Sequence, residues 1–228
     1  MAERFHVKVE LSPGQVRIDG PEAHHLGTVR RIRAGESVCL FNGDGHEYPG
    51  TIVEVTRRDV VVELTERRSP IRENRFALHI ATALPKGDRA QFLVEKLTEL
   101  GVASLTPLVT ERTIVQPREG KMDKLERYVI EASKQCGRNV LMRIDPPRKW
   151  ADLICDTSLP ILRFVAHPES ESSQDTEEGE RIVAIGPEGG LTDAEVAQAI
   201  EAGWRRLSLG PRILRIETAT MAVAARWG

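Results

Sequence analysis

The chain has 228 residues, 40% hydrophobic and 29% charged, which is the make-up of an ordinary globular protein with room for one large domain or two modest ones. Aromatics are scarce at 4%, so the core must rest on Val, Ile, Leu and Ala, and no apolar run approaches the roughly 20 residues needed to cross a bilayer. A formal net charge of −2 does not advertise nucleic-acid binding, yet it can hide a basic face.

From Met1 to Glu10 charges come early and no apolar stretch forms, so no signal peptide is expected. The first 70 or so residues read as β. Short alternating runs recur at Phe5–Val9, Ser37–Phe41, Thr51–Val55 and Val60–Leu64, separated by turn signals such as Ser12-Pro13-Gly14 and Asn42-Gly43-Asp44-Gly45. Such spacing suggests a small barrel. Pro21 to Leu26 reads as one short helix within it, and its adjacent His24 and His25 would point apart, which argues against a shared metal site. Arginines cluster in this half: Arg30, Arg31 and Arg33, Arg57 and Arg58, Arg67, Arg68, Arg72 and Arg75. Pro70 to Asn74 is a plausible linker.

From Phe76 the pattern turns to strand and helix in alternation. Phe76–Ala81 is an apolar strand. Asp88 with Gln91 forms a capping-box signature for a helix that turns Phe92, Leu93, Leu97 and Leu100 inward and stops at Gly101. Leu105–Val109 is the next strand, and Lys121–Gln135 a helix with Leu125, Val129 and Ala132 on one face. Leu159–Ala166 is a strand, and His167–Glu180 a polar, acidic loop. Arg181–Ile185 is a buried strand running into Gly186-Pro187-Glu188-Gly189-Gly190. Thr192 and Glu195 then form a capping box, with Leu191 stapled to Val196, and the helix ends at Gly203. A short strand, Arg206–Leu209, meets Gly210-Pro211, and the last helix contains Glu217–Arg226. Alternation over about 150 residues predicts an α/β domain with a mostly parallel sheet. The three cysteines, Cys39, Cys136 and Cys155, are far apart and lack a CxxC pair, so reduced, packed thiols in a cytoplasmic protein are expected, with no zinc site and no disulfide.

Two segments carry chemistry. Gly186–Gly190 leaves a buried strand and enters a capped helix, where ligands of α/β sheets bind. It is neither GxGxxG nor a P-loop. Glu188 would repel a polyphosphate but suits hydroxyls or a positive charge. The second segment, Leu207–Ala219, mixes apolar residues with Arg212, Arg215 and Glu217 around another Gly-Pro turn. Taken alone, the first favours a ligand only modestly over a tight structural turn, and the second can equally be a helix-capping ion pair, worth roughly 0–1 kcal/mol if exposed. Two Gly-Pro strand exits in one short stretch favour a shared pocket.

These two segments resemble the paired C-terminal motifs of the RsmE family, the bacterial 16S rRNA (uracil-N3)-methyltransferases of the SPOUT superfamily. Phe41–Gly45 is similar to the family's barrel hairpin. Lys86-Gly87-Asp88-Arg89 with Glu95–Val102 is similar to its first catalytic-domain helix, and Glu131–Arg138 to its central motif. The likeness runs in order along nearly the whole chain. The chain departs at Ile216, where the family usually has Thr, and near Met142, where it usually has Pro.

The resemblance implies a PUA-like β-barrel over residues 1–71 that docks RNA. It implies a SPOUT α/β domain over 72–228 with a deep trefoil knot. The implied reaction is S-adenosyl-L-methionine-dependent methylation of N3 of one uracil in 16S rRNA, on the assembled small ribosomal subunit, by a homodimer with no metal. Implied cofactor contacts are Leu84, Gly186, Glu188, Gly189, Gly190, Leu209, Gly210, Ile213, Leu214, Glu217, Thr218 and Ala219. Arg212, Arg215 and Glu217 are the catalytic candidates: the arginines to stabilise charge on the uracil oxygens, and Glu217 (or Glu188) to accept a proton or orient the cofactor. Arg30, Arg31, Arg33, Lys86, Arg112 and Arg138 are the RNA-contact candidates. A ribose 2′-hydroxyl methyltransferase and a non-catalytic assembly factor are the competing readings. Intact glycines and Glu217 weigh against the latter.

Overall fold

The structure is a computed structural model that describes residues 2–20, 23, 26–27, 32–56, 58–114, 119–168 and 177–227. Most of the helix expected at Pro21–Leu26, with His24 and His25, therefore lies outside the described residues, as do Arg30, Arg31 and Arg57. Contacts divide the chain into two compact units. The first comprises residues 1–73 and 133–141; the second comprises 74–132 and 142–228.

The first unit holds a five-stranded sheet of β1 (Glu3–His6), β2 (Gly14–Asp19), β3 (Ser37–Phe41), β4 (Tyr48–Val55) and β5 (Asp59–Leu64), in the order β1-β3-β4-β5-β2. β1 runs parallel to β3, and the remaining pairs are antiparallel. Strand alternation sends Phe5, Val38, Leu40, Ile52, Val60, Val62 and Leu64 into one buried cluster. β2 was not expected from the sequence. It is an edge strand whose Gln15, Arg17 and Asp19 alternate with only two apolar residues, Val16 and Ile18. Gly50 is required by packing, since a Cβ there would lie 2.5 Å from the Glu63 carbonyl oxygen.

Arg138, expected to meet RNA, belongs instead to this unit's interior. It is 4% exposed and makes a forked ion pair with Glu73, Nε to Oε1 at 2.9 Å and Nη2 to Oε2 at 2.6 Å. A guanidinium so buried and engaged acts as a structural anchor within this unit. Nearby, Glu47 accepts from Arg4 and Arg72, each at 2.8 Å, and Arg4 also donates to Asn139.

The second unit is a seven-stranded parallel sheet of β6 (Leu78–Thr82), β7 (Ser104–Val109), β8 (Arg143–Ile144), β9 (Arg148–Lys149), β10 (Leu162–Ala166), β11 (Arg181–Ile185) and β12 (Arg205–Leu207). Its order is β12-β10-β11-β6-β7-β8, with β9 pairing β7. Helices α1 (Asp88–Glu99), α2 (Glu119–Cys136), α3 (Trp150–Ile154), α4 (Asp193–Glu201) and α5 (Ile216–Trp227) connect and cover it. β11 is buried at every residue, as a strand covered on both faces must be. Ile182 and Ala184 pack with Trp150, Leu153, Val196 and Trp204 of the α3–α4 side. α1 and α5 pack together, and α5 also contacts β6 and β11.

Three local expectations are corrected. The N-cap of α1 is Gly87, at φ 62°, without a side-chain cap bond; Asp88 is the first helical residue, and Gln91 donates to Glu95 instead. Phe92 is 43% exposed rather than turned inward. Cys136 and Cys155 are exposed, and only Cys39 is packed. The acidic loop stands as a loop where it is described, at its end, which is held by Glu177 to Arg205 at 2.5 Å, Glu178 to Arg75 at 2.9 Å and Glu180 to His79 at 2.7 Å. The two departures from the family pattern, Ile216 and Met142, are buried side chains at 3% and 2% exposure. No described helix is long and apolar enough to cross a membrane.

Candidate cofactor site

All strands of the second sheet run parallel, so their carboxyl ends open onto one edge, where ligands of such sheets bind. A cavity of about 270 Å³ lies there, formed by the segments that leave β7, β10, β11 and β12.

The first wall is the turn after β11. Gly190 sits at φ 72° and donates its N–H to the Pro187 carbonyl at 2.8 Å, closing the turn. At Gly186 a Cβ would come within 2.9 Å of the Leu191 nitrogen, so the chain can double back only without a side chain. The capping box then starts α4 as expected: Thr192 Oγ1 accepts from Glu195 N, and Glu195 Oε2 accepts from Thr192 N at 2.8 Å. Glu195 is 7% exposed and does more than cap, because its Oε1 accepts from the Glu111 N–H at 2.9 Å. That bond fixes the loop after β7, and from it Arg112 donates to the Gly189 carbonyl at 2.8 Å. Arg112 is thus a cavity wall.

The second wall is the segment after β12. Gly210 adopts φ 101°, and its N–H donates to Ser208 Oγ at 3.3 Å. The Arg215 carbonyl accepts the first bond of α5 from Ala219. Glu217 lies in the first turn of α5, where the helix dipole favours a carboxylate.

Of the cofactor candidates, the cavity is lined by Gly186, Glu188, Gly189, Gly190, Leu209, Gly210, Ile213, Leu214 and Ala219. Arg212, a catalytic candidate, lines it as well, and so does Arg112, expected at the RNA. Leu84 is buried outside the lining, Thr218 and Arg215 are exposed outside it, and Glu217, 8% exposed, is also outside it. Lys86 and Arg33 are exposed on the surfaces of their own units. Ala166, His167 and Pro168 line the cavity without having been expected. The strand-end rule would have found them. Ala166 was expected as a strand end, and His167 and Pro168 as the start of the acidic loop.

Arg89 was also missed as a functional residue, although it stands in the Lys86–Arg89 stretch. Its guanidinium forks onto Glu217, Nε to Oε1 at 2.5 Å and Nη2 to Oε2 at 2.6 Å, while Nη1 reaches Glu188 Oε1 at 3.1 Å. The Arg89 guanidinium holds the Glu217 carboxyl below the usual carboxylate range, against the opposing pull of burial. Among the described residues, no group of three or more His, Cys, Asp or Glu is placed to hold a metal.

The residues present fit S-adenosylmethionine by their chemistry. Ile185, Leu191, Leu209, Leu214 and Ala219 offer an apolar bed for a flat ring, Glu188 a partner for a cation or hydroxyls, and Arg112 a partner for a carboxylate. The volume is near the lower end of small-ligand pockets, about 300–1,000 Å³.

An RNA methyltransferase domain family matches residues 72–228, and an RNA methyltransferase PUA domain family matches 18–65. The ribosomal RNA small subunit methyltransferase E of Synechocystis is 31% identical, over 98% of this chain and 77% of its own length. That of Bacillus subtilis is 30% identical, over 93% and 91%. Among solved structures, a methyltransferase of Legionella pneumophila with SAM bound is 33% identical, with a TM-score of 0.91 over 100% of this chain and 97% of that one. A ribosomal RNA small subunit methyltransferase E of Neisseria gonorrhoeae, bound to S-adenosyl methionine, is 28% identical, with a TM-score of 0.91 over 99% and 96%.

Proposed function

The chain belongs to the ribosomal RNA small subunit methyltransferase E family, and on that footing we propose that it methylates N3 of one uracil in 16S rRNA, using S-adenosylmethionine. The observation that carries the reading is the cavity at the strand ends. Both Gly-Pro turns wall it, and it combines an apolar bed with one carboxylate and two guanidinium groups. The relatives solved with this cofactor share the fold along nearly the whole chain.

S-adenosylmethionine, when bound, supplies an electrophilic methyl group on a sulfonium. The chain's own tasks are to hold the cofactor, to place the uracil and to favour the anion that develops as the N3 proton leaves. Gly186, Gly189, Gly190 and Gly210 let the backbone come close. Glu188 holds a hydroxyl or cationic group. Arg212 at the cavity stabilises negative charge on the uracil oxygens, with Arg215, three residues on and outside the lining, as a second candidate. Glu217 is a poor base here, because its ionised form is engaged by Arg89; its role is to position. Alignment of the reacting atoms is then the larger part of catalysis, ahead of the roughly 10²–10⁴-fold that a general base contributes.

The same family membership supports a PUA-like barrel in the first unit that docks RNA through Arg33 and its neighbours. It also supports a trefoil knot in the second unit, a homodimer, a cytoplasmic setting and the assembled small subunit as substrate. The test is mass mapping of small-subunit rRNA after incubation of subunits, or of free RNA, with the purified protein and labelled S-adenosylmethionine. One methyl on a uracil base, blocking Watson–Crick pairing, is the expected result. A methyl on a ribose would overturn the N3 assignment, and no transfer to either substrate would overturn the rRNA assignment.

A further inference from the structure

The two turns that wall the cavity come from segments about 25 residues apart, and neither turn's hydrogen bonds described above reach the other. Arg89 reaches both. It stands at the second position of α1, two residues after Gly87 at φ 62°, so the backbone is bent shortly before the side chain departs. Its five donors lie in one plane, and three nitrogens of that fork are used: two on Glu217 at the start of α5 and one on Glu188 in the turn after β11.

The two contacts are unequal. Glu217 is held at two points, both at or below 2.6 Å, and its side chain is 10% exposed. Glu188 is held at one point, at 3.1 Å, and its side chain is 47% exposed at the cavity. A paired and partly buried carboxylate makes the fixed end of such a bridge. A singly held, solvated one makes the end that can be turned toward a ligand.

We propose that Arg89 is a positioning residue of the cofactor site: anchored on Glu217, it aims the Glu188 carboxylate at the bound S-adenosylmethionine and ties the two walls of the cavity together. Arg89 does not itself line the cavity, so its effect on the cofactor passes through Glu188. This rests on the functional reading above for the identity of the ligand.

The experiment is calorimetric titration of S-adenosylmethionine into the wild-type protein and into Arg89→Ala, Arg89→Lys, Glu188→Gln and the Arg89→Ala/Glu188→Gln double variant, with melting curves to confirm folding. Arg89→Ala is expected to weaken binding about tenfold, the size of a charge-assisted hydrogen bond lost from a site. Arg89→Lys keeps the charge but not the fork and should fall between. The deciding quantity is the coupling. With Glu188 already changed, loss of Arg89 should cost only about twofold more, because the two act on the same contact. Independent, multiplying effects would overturn the proposal, as would Arg89→Ala binding like the wild type. Should Arg89→Ala fail to fold, Arg89→Lys, Glu188→Gln and the Arg89→Lys/Glu188→Gln double variant give the same cycle. A wild-type protein that bound no S-adenosylmethionine would overturn the functional reading itself, and is told apart by failing before any variant is made.

Discussion

Glu217 shows how a residue's surroundings change the role its type suggests. A carboxylate after a strand-exit turn reads from sequence as a proton acceptor or as a group that orients the cofactor. In the structure it is gripped at two points by Arg89 and held below its ordinary range. Because its native value is depressed below the unfolded 4.5, the contact stabilises the fold fully above pH 4.5, and that contribution is lost as pH falls through the native value. Wild type should therefore melt above Glu217→Gln at neutral pH, and the gap should close on acidification below pH 4.5. A gap that stayed constant down to acid unfolding would show that ionisation of Glu217 does not matter. The residues lining the cavity were largely legible as the two Gly-Pro turns, because glycine and proline announce backbone geometry locally. Arg89 was not, because its partners lie 99 and 128 positions away, and no local pattern marks a side chain that acts at such range.

Among the elements, legibility followed the strength of local chemistry. β11 and the start of α4 stand where expected, since a continuous apolar run and a reciprocal cap are both written in adjacent residues. β8, β9 and α3 went unread, being two, two and five residues long, too short for any period to show. The cap of α4 serves two masters, and this sets an order among variants. Thr192→Ala removes one cap acceptor and should cost about 1 kcal/mol. Glu195→Ala removes the reciprocal bond and also strips the Glu111 N–H of its acceptor, which should raise the cost to about 2–4 kcal/mol. It should also weaken cofactor binding by freeing the Arg112 loop. Urea titrations of the two variants check this, and equal costs would mean that the Glu111 bond contributes nothing.

For the molecule as a whole, the expected barrel-then-α/β order appears as a mostly antiparallel sheet followed by a parallel one, but the division is not a single point in sequence. Residues 133–141 return to the first unit after the second has begun. The near-neutral total charge conceals strong local pairing, with the acidic Glu177–Glu180 segment matched to Arg205, Arg75 and His79. Cofactor binding should register in one unit only. At a hundredfold excess over its dissociation constant, S-adenosylmethionine should stabilise the second unit by about 2.7 kcal/mol. Hydrogen exchange should slow at Ala166–Pro168, Gly186–Gly190 and Leu209–Leu214 while β1–β5 stay unchanged. Slowing confined to the first unit would place the cofactor elsewhere.

The return of residues 133–141 has a consequence for modularity. A fragment ending at residue 73 would carry Glu73 without Arg138, Arg72 without the Gly137 carbonyl, and Arg4 without Asn139. The complementary fragment would export those same groups with nothing to receive them. Two beads on a string can be shuffled by recombination at the thread. In this chain the first unit draws on residues 133–141 as well as 1–73, so a cut at residue 73 divides its own ion pairs and hydrogen bonds.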